Sequence, residues 1–68
     1  MMSTEGVAGL IYWHMRERRL SQRQLADKVG MTAATLSRRM ADPKKFRVGE
    51  LEKIFRVLNI PENERVIW

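Results

Sequence analysis

The side chains of this chain that are able to do chemistry are mainly cations. Between Arg16 and Arg47 ten Lys and Arg stand against Glu17, Asp27 and Asp42, a local balance of +7, while residues 1–15 and 48–68 each come to −1. Such density suits a polyanion, because each phosphate neutralised releases condensed counterions. A solvated basic surface that keeps a small protein soluble is the plainer alternative, and an anionic membrane surface ranks well behind nucleic acid. Other chemistries are poorly provided for. The sequence has no cysteine and a single histidine, His14, so neither a disulfide framework nor a metal site of three or four ligands is expected. No pair of acids, nucleophile with its base, or phosphate-cradling glycine loop is spaced for catalysis, and the expected class is a binding protein without enzymatic activity or cofactor.

Sixty-eight residues, 44% apolar and 31% charged, make an ordinary globular balance for one domain over residues 1–68. A core of that size is marginal, which leaves oligomerisation as a plausible supplement. No apolar run approaches the roughly 18 to 20 residues that a membrane span needs, and the N-terminus lacks the pattern of a secretory signal. The expected compartment is the bacterial cytoplasm, in association with the nucleoid.

The elements that must position the cations read as helices. Val7, Leu10, Ile11 and His14 fall on one face at 3.6-residue spacing, and Ala8, Tyr12 and Met15 form a second stripe on nearly the opposite face, predicting a helix over 7–19 with two apolar sides. His14 reads as a satisfied, partly buried histidine, and Tyr12, Trp13 and Trp68 as core or dimer contacts. Ser21 followed by Gln24 is a capping box that opens a second helix over 22–29, with Leu25, Ala26 and Val29 inward and Gly30 as its left-handed end. Thr32 caps a third helix whose buried edge is Leu36 and Met40, and Asp42-Pro43 stops it. Lys44 to Arg47 reads as a basic loop. Leu51, Ile54, Phe55 and Leu58 then predict a fourth helix over about 48–58, ended by Asn59-Ile60-Pro61, with one more turn at 62–65. The whole is all-α, a compact bundle of four to five helices. A short strand is conceivable only at the apolar end, Val66-Ile67-Trp68.

Two short helices joined through Gly30-Met31-Thr32 make a helix-turn-helix at about 22–40. In that arrangement the first helix lies across the sugar-phosphate backbone and the second enters the major groove, where base edges carry a distinguishable pattern. The run Leu20-Ser21-Gln22, then Leu25-Ala26, then Gly30, then a capped helix with Leu36-Ser37, resembles the phage repressor and Cro-like helix-turn-helix domains. The later stretch from Glu50-Leu51 to Leu58-Asn59-Ile60 resembles the next helix of that lambda-repressor-like family, and the resemblance covers about residues 7–60.

The resemblance implies roles residue by residue. Gln22 would hold a backbone phosphate and brace the recognition helix, and Thr32 would meet phosphate through its hydroxyl or backbone N–H. Ala33, Ala34, Ser37 and Arg38 would face base edges. Arg38 can bond two acceptors on guanine and the alanine methyls can meet thymine methyls, although helix propensity alone would also explain the alanines. Arg23, Lys44, Lys45 and Arg47 would line flanking phosphates, with solvated charge as the alternative. Arg39 stands where many relatives carry an aliphatic residue; a phosphate contact from an exposed edge is expected, a surface ion pair being the other reading. The sequence departs from the family in two further ways. Relatives often place a polar reader at Ala33 and Ala34, which shifts weight towards DNA shape. Asp42-Pro43 sits where a glycine commonly ends the recognition helix, leaving the path of the next loop open.

Together these features imply a sequence-specific regulator of transcription that binds double-stranded DNA, most naturally a small phage or prophage repressor of Cro type on a two-fold operator. The chain ends about eight residues beyond the matched fold, as such a protein would. A homodimer is expected, with Val66, Ile67 and Trp68 supplying contact. The alternatives are an antirepressor or adaptor that touches DNA weakly, or an antitoxin or excisionase-like DNA-binding protein.

Overall fold

Most helix ends of this chain rest on a local device, and those devices set how the helices face one another. The computed structural model describes residues 6–65; the proposed contact residues Val66, Ile67 and Trp68 lie outside them. Four α-helices follow in order: α1 (Gly6–Glu17), α2 (Gln22–Val29), α3 (Ala33–Ala41) and α4 (Val48–Val57). A 3-10 turn at Pro43–Lys45 separates α3 from α4, and another at Glu62–Glu64 follows α4. Among the described residues there is no strand, and no helix is long and apolar enough to cross a membrane.

The predicted caps form. Ser21 Oγ accepts from the Gln24 N–H at 3.1 Å and Gln24 Oε1 accepts from the Ser21 N–H at 2.9 Å, so each side chain satisfies a donor that the helix start leaves unpaired. Thr32 Oγ1 accepts from the Thr35 N–H at 3.0 Å to open α3. Three helices close in the same way. The N–H groups of Leu20, Met31 and Ile60 each reach back over five residues, to the carbonyls of Met15, Ala26 and Phe55, all at 2.9 Å. The bond requires a left-handed residue just before the donor, and Arg19, Gly30 and Asn59 supply it with φ of 56°, 77° and 54°. Glycine takes that conformation freely and asparagine tolerates it, but an arginine there costs about 1–2 kcal/mol. This is why α1 stops at Glu17, two residues short of the sequence expectation.

Packing follows from the periodicity with one correction. At about 100° per residue, Ala8 and Met15 lie beside Val7, Ile11 and His14 rather than opposite them, and all five are buried in one arc. The second stripe of α1 therefore joins the core, except for Tyr12. Tyr12 is 46% exposed and its neighbour Trp13 55%, so neither is a core residue. The arc of α1 packs into a core with Leu25 from α2, Leu36 and Met40 from α3, and Leu51, Ile54 and Phe55 from α4, closed by Leu58 and Ile60. Phe46 belongs to it too, with only 4% of its surface exposed. The stretch expected as a plain basic loop instead makes the tight turn at Pro43–Lys45, which carries Phe46 inward while its two lysines stay in solvent.

His14 is buried and satisfied, as expected. Its Nδ1 accepts from Arg18 at 2.9 Å, and its Nε2 lies 3.1 Å from Glu64 Oε1. Arginine can only donate, so Nε2 carries the hydrogen given to the carboxylate. The ring thereby ties α1 to the turn after α4, in a region where burial of an unpaired polar group would be costly.

Candidate nucleic-acid interface

The third helix separates its residues cleanly by direction. Leu36 and Met40, one turn apart, are buried, whereas Ala33, Ala34, Ser37 and Arg38 are all exposed. Positions i, i+1, i+4 and i+5 share one outward face of a helix, so the four residues expected to read bases form one contiguous strip. Nothing in the fold covers that strip among the described residues. Its backbone adds polarity, since the first-turn N–H groups of a helix have no intrahelical acceptor and carry partial positive charge.

The Thr32 hydroxyl is already engaged. It accepts from the Thr35 N–H and donates to Thr35 Oγ1 at 2.9 Å. Of the two expected routes from Thr32 to a phosphate, the backbone N–H is the one left free of the cap. Arg38 leans the same way, its guanidinium 3.5 Å from Thr35 Oγ1, a long contact that holds it only weakly.

Arg39 differs from its neighbour. Its Nε donates to Glu50 Oε1 at 3.0 Å and its terminal nitrogen to Glu50 Oε2 at 3.2 Å, a two-pronged pair whose side chains are only 21% and 22% exposed. Glu50 Oε1 also accepts from the Arg47 N–H at 2.9 Å, capping the start of α4. The guanidinium thus joins the end of the recognition helix to the beginning of α4. Where the sequence suggested a phosphate contact, the geometry favours the ion pair, because this fork matches a carboxylate bidentately and both prongs are occupied. Hydrogen bonds from Arg39 hold the Glu50 carboxyl below its ordinary value of 4.5, with the Arg47 N–H adding to the effect and burial opposing it. The same pairing raises Arg39.

A carboxyl whose folded pKa is depressed contributes stability above the unfolded value and loses it as pH falls through the folded one. Glu50→Gln should therefore melt a few degrees below the wild type near pH 7, and the two melting curves should converge as pH drops below about 4.5. A gap that persists unchanged at acid pH, read by circular dichroism, would show that the charge of Glu50 is not what matters.

The remaining expected phosphate contacts divide into groups. Lys45 borders a shallow depression with Arg38, Arg39, Ala41 and Asp42, so it lies beside the end of the exposed strip. Lys44 projects from the same turn. Arg47 borders a different depression, with Gly30, Met31, Gly49 and Lys53. Arg23 is exposed on the first turn of α2. Beside it the Gln22 amide donates to the Tyr12 hydroxyl at 2.9 Å, bridging α2 to α1. Three participants were missed from sequence: Thr35, Glu50 and Tyr12. Glu50 had half a signal, a glutamate three residues after a helix-start position, but arginine at that position cannot return the bond that completes a capping box.

A buried helix edge beneath an exposed outward strip, set at a capped turn against a second short helix, defines a helix-turn-helix domain. A family model described as helix-turn-helix matches residues 11–65, and the chain belongs to that repressor and Cro-like family of DNA-binding transcriptional regulators. No curated protein and no solved structure matches the chain.

Proposed function

We propose that this protein is a Cro-type repressor that binds double-stranded DNA sequence-specifically, with α3 in the major groove of each half of a two-fold operator. The observation that carries the reading is the outward strip of Ala33, Ala34, Ser37 and Arg38, exposed together on a helix whose opposite edge is buried. In this role Arg38 and Ser37 hydrogen-bond base edges, while the two alanines meet thymine methyls and let the helix start approach closely. Having few polar readers, the protein draws part of its specificity from groove shape and deformability. Gln22, Arg23, Thr32, Lys44, Lys45 and Arg47 fix register on phosphates, and Arg39 acts as the brace between α3 and α4.

Two-fold operators pair with dimers whose recognition helices are set about 34–36 Å apart. Val66, Ile67 and Trp68 are the proposed dimer contact, residues 1–68 act as one domain, and its site of action is the bacterial cytoplasm. Selection of bound sites from random duplexes tests the reading. It should return an inverted repeat with that half-site spacing, bound at least about a thousandfold more tightly than scrambled DNA near 150 mM salt. Equal affinity for selected and scrambled duplexes would sink specific regulation.

A further inference from the structure

Tyr12 stands outside the core, exposed, with its hydroxyl accepting from the amide of Gln22. We propose that Tyr12 and Gln22 form a two-donor clamp for a single DNA backbone phosphate, which makes Tyr12 a DNA-contacting residue. The proposal rests on the DNA-binding reading above.

The donor count supports a clamp. Gln22 Nε2 carries two hydrogens, and one is given to Tyr12 Oη at 2.9 Å. The other remains free to donate. A phenol that accepts still has its own O–H, so a second donor lies within hydrogen-bonding distance of the first. The two therefore present adjacent donors without an opposing carboxylate in that bond, a polarity suited to an anion. Tyr12 is 46% exposed and Gln22 is half-buried, so the pair opens to solvent while its bases are fixed in two helices. Charge agrees: Arg16, one turn after Tyr12 on the same face of α1, and Arg23, next to Gln22, are both exposed. Spacing agrees as well, because the clamp sits at the first residue of α2, the helix that crosses the backbone in this arrangement. Fixing the amide before DNA arrives also lowers the ordering cost of the contact.

Tyr12→Phe removes one oxygen and leaves the ring. Affinity should fall about three- to tenfold, equally for the selected operator and a scrambled duplex, because a phosphate carries no sequence information. The slope of log affinity against log salt should stay the same, since a neutral phenol releases no counterion; removing a phosphate-neutralising lysine would flatten it by about 0.9. Gln22→Ala should cost a similar factor, and the double variant less than the product of the two. Ethylating backbone phosphates one at a time should reveal a position that weakens the wild type and not Tyr12→Phe. The proposal fails if the wild type binds DNA and Tyr12→Phe binds equally well, if the loss tracks a lowered melting temperature, or if no ethylated position separates the two proteins. If the wild type binds no duplex at all, the regulator reading falls and the clamp with it.

Discussion

Replacing Arg38 with alanine should lower affinity for the operator by about five- to 150-fold while changing affinity for unrelated DNA far less, the range corresponding to the 1–3 kcal/mol of discrimination in a good bidentate contact with guanine. The expectation rests on the contrast between two adjacent arginines. Arg39 has both prongs on Glu50, whereas Arg38 stands exposed with only a 3.5 Å contact to Thr35, and no ion pair engages it among the described residues. A guanidinium in that state can turn to a base edge without breaking a strong bond. Arg38→Lys sharpens the test, since it keeps the charge and loses the fork. It should retain nearly all of the nonspecific affinity and salt dependence and lose most of the discrimination. Competition binding against selected and scrambled duplexes separates the outcomes. An equal loss on both would move Arg38 to the phosphates, and no loss on either would favour the adaptor reading over the regulator.

The second large effect is on folding. Leu36 is fully buried beneath the exposed strip of α3, and Leu36→Ala should destabilise the protein by about 2–5 kcal/mol through lost transfer energy and the cavity left behind. A chain of 68 residues has roughly 3–10 kcal/mol in total, so the variant should lose a large fraction of its stability. Thermal unfolding followed by circular dichroism should place its midpoint at least about 10 °C below the wild type. Leu36→Met, which nearly conserves volume, should recover most of the difference, at a cost under about 1.5 kcal/mol. A wild-type midpoint in Leu36→Ala would mean that α3 is held by something other than its contact with the core.

Much of this arrangement is legible in the residues because its causes are local. The Ser21–Gln24 box, the glycine after α2, the Thr32 cap and the Leu51-Ile54-Phe55-Leu58 stripe each depend on neighbours within two turns, and each appears where its spacing puts it. The exposure of Ala33, Ala34, Ser37 and Arg38 is legible for the same reason, since burying Leu36 and Met40 fixes which residues face outward, while their part in reading bases comes from the family resemblance and is proposed. What sequence alone could not supply depends on partners further along the chain or on strain accepted for tertiary reasons. Gln22 with Tyr12 and Arg39 with Glu50 are ten and eleven residues apart, on different helices, at spacings that no helical period marks. Phe46 sits among lysines and arginines with no periodic companion, and only the turn before it sends it inward. Arg19 in a left-handed conformation contradicts its own preference, which no propensity argument would choose. The burial of Ala8 and Met15 is itself a local consequence, because a rotation of about 100° per residue sets them beside Val7 and not opposite it.

The division of α3 into a buried edge and an exposed strip has a consequence for how the protein can change over time. Ala33, Ala34, Ser37 and Arg38 touch solvent and contribute little to the interior, while Leu36 and Met40 hold the helix and face away from any ligand on the strip. Substitutions on the strip are therefore expected to be nearly neutral for folding, within about 0.5 kcal/mol, so long as they suit a helix. A lineage carrying this domain could drift from one target sequence to another through folded intermediates, and a library randomised at those four positions should consist mostly of well-folded proteins.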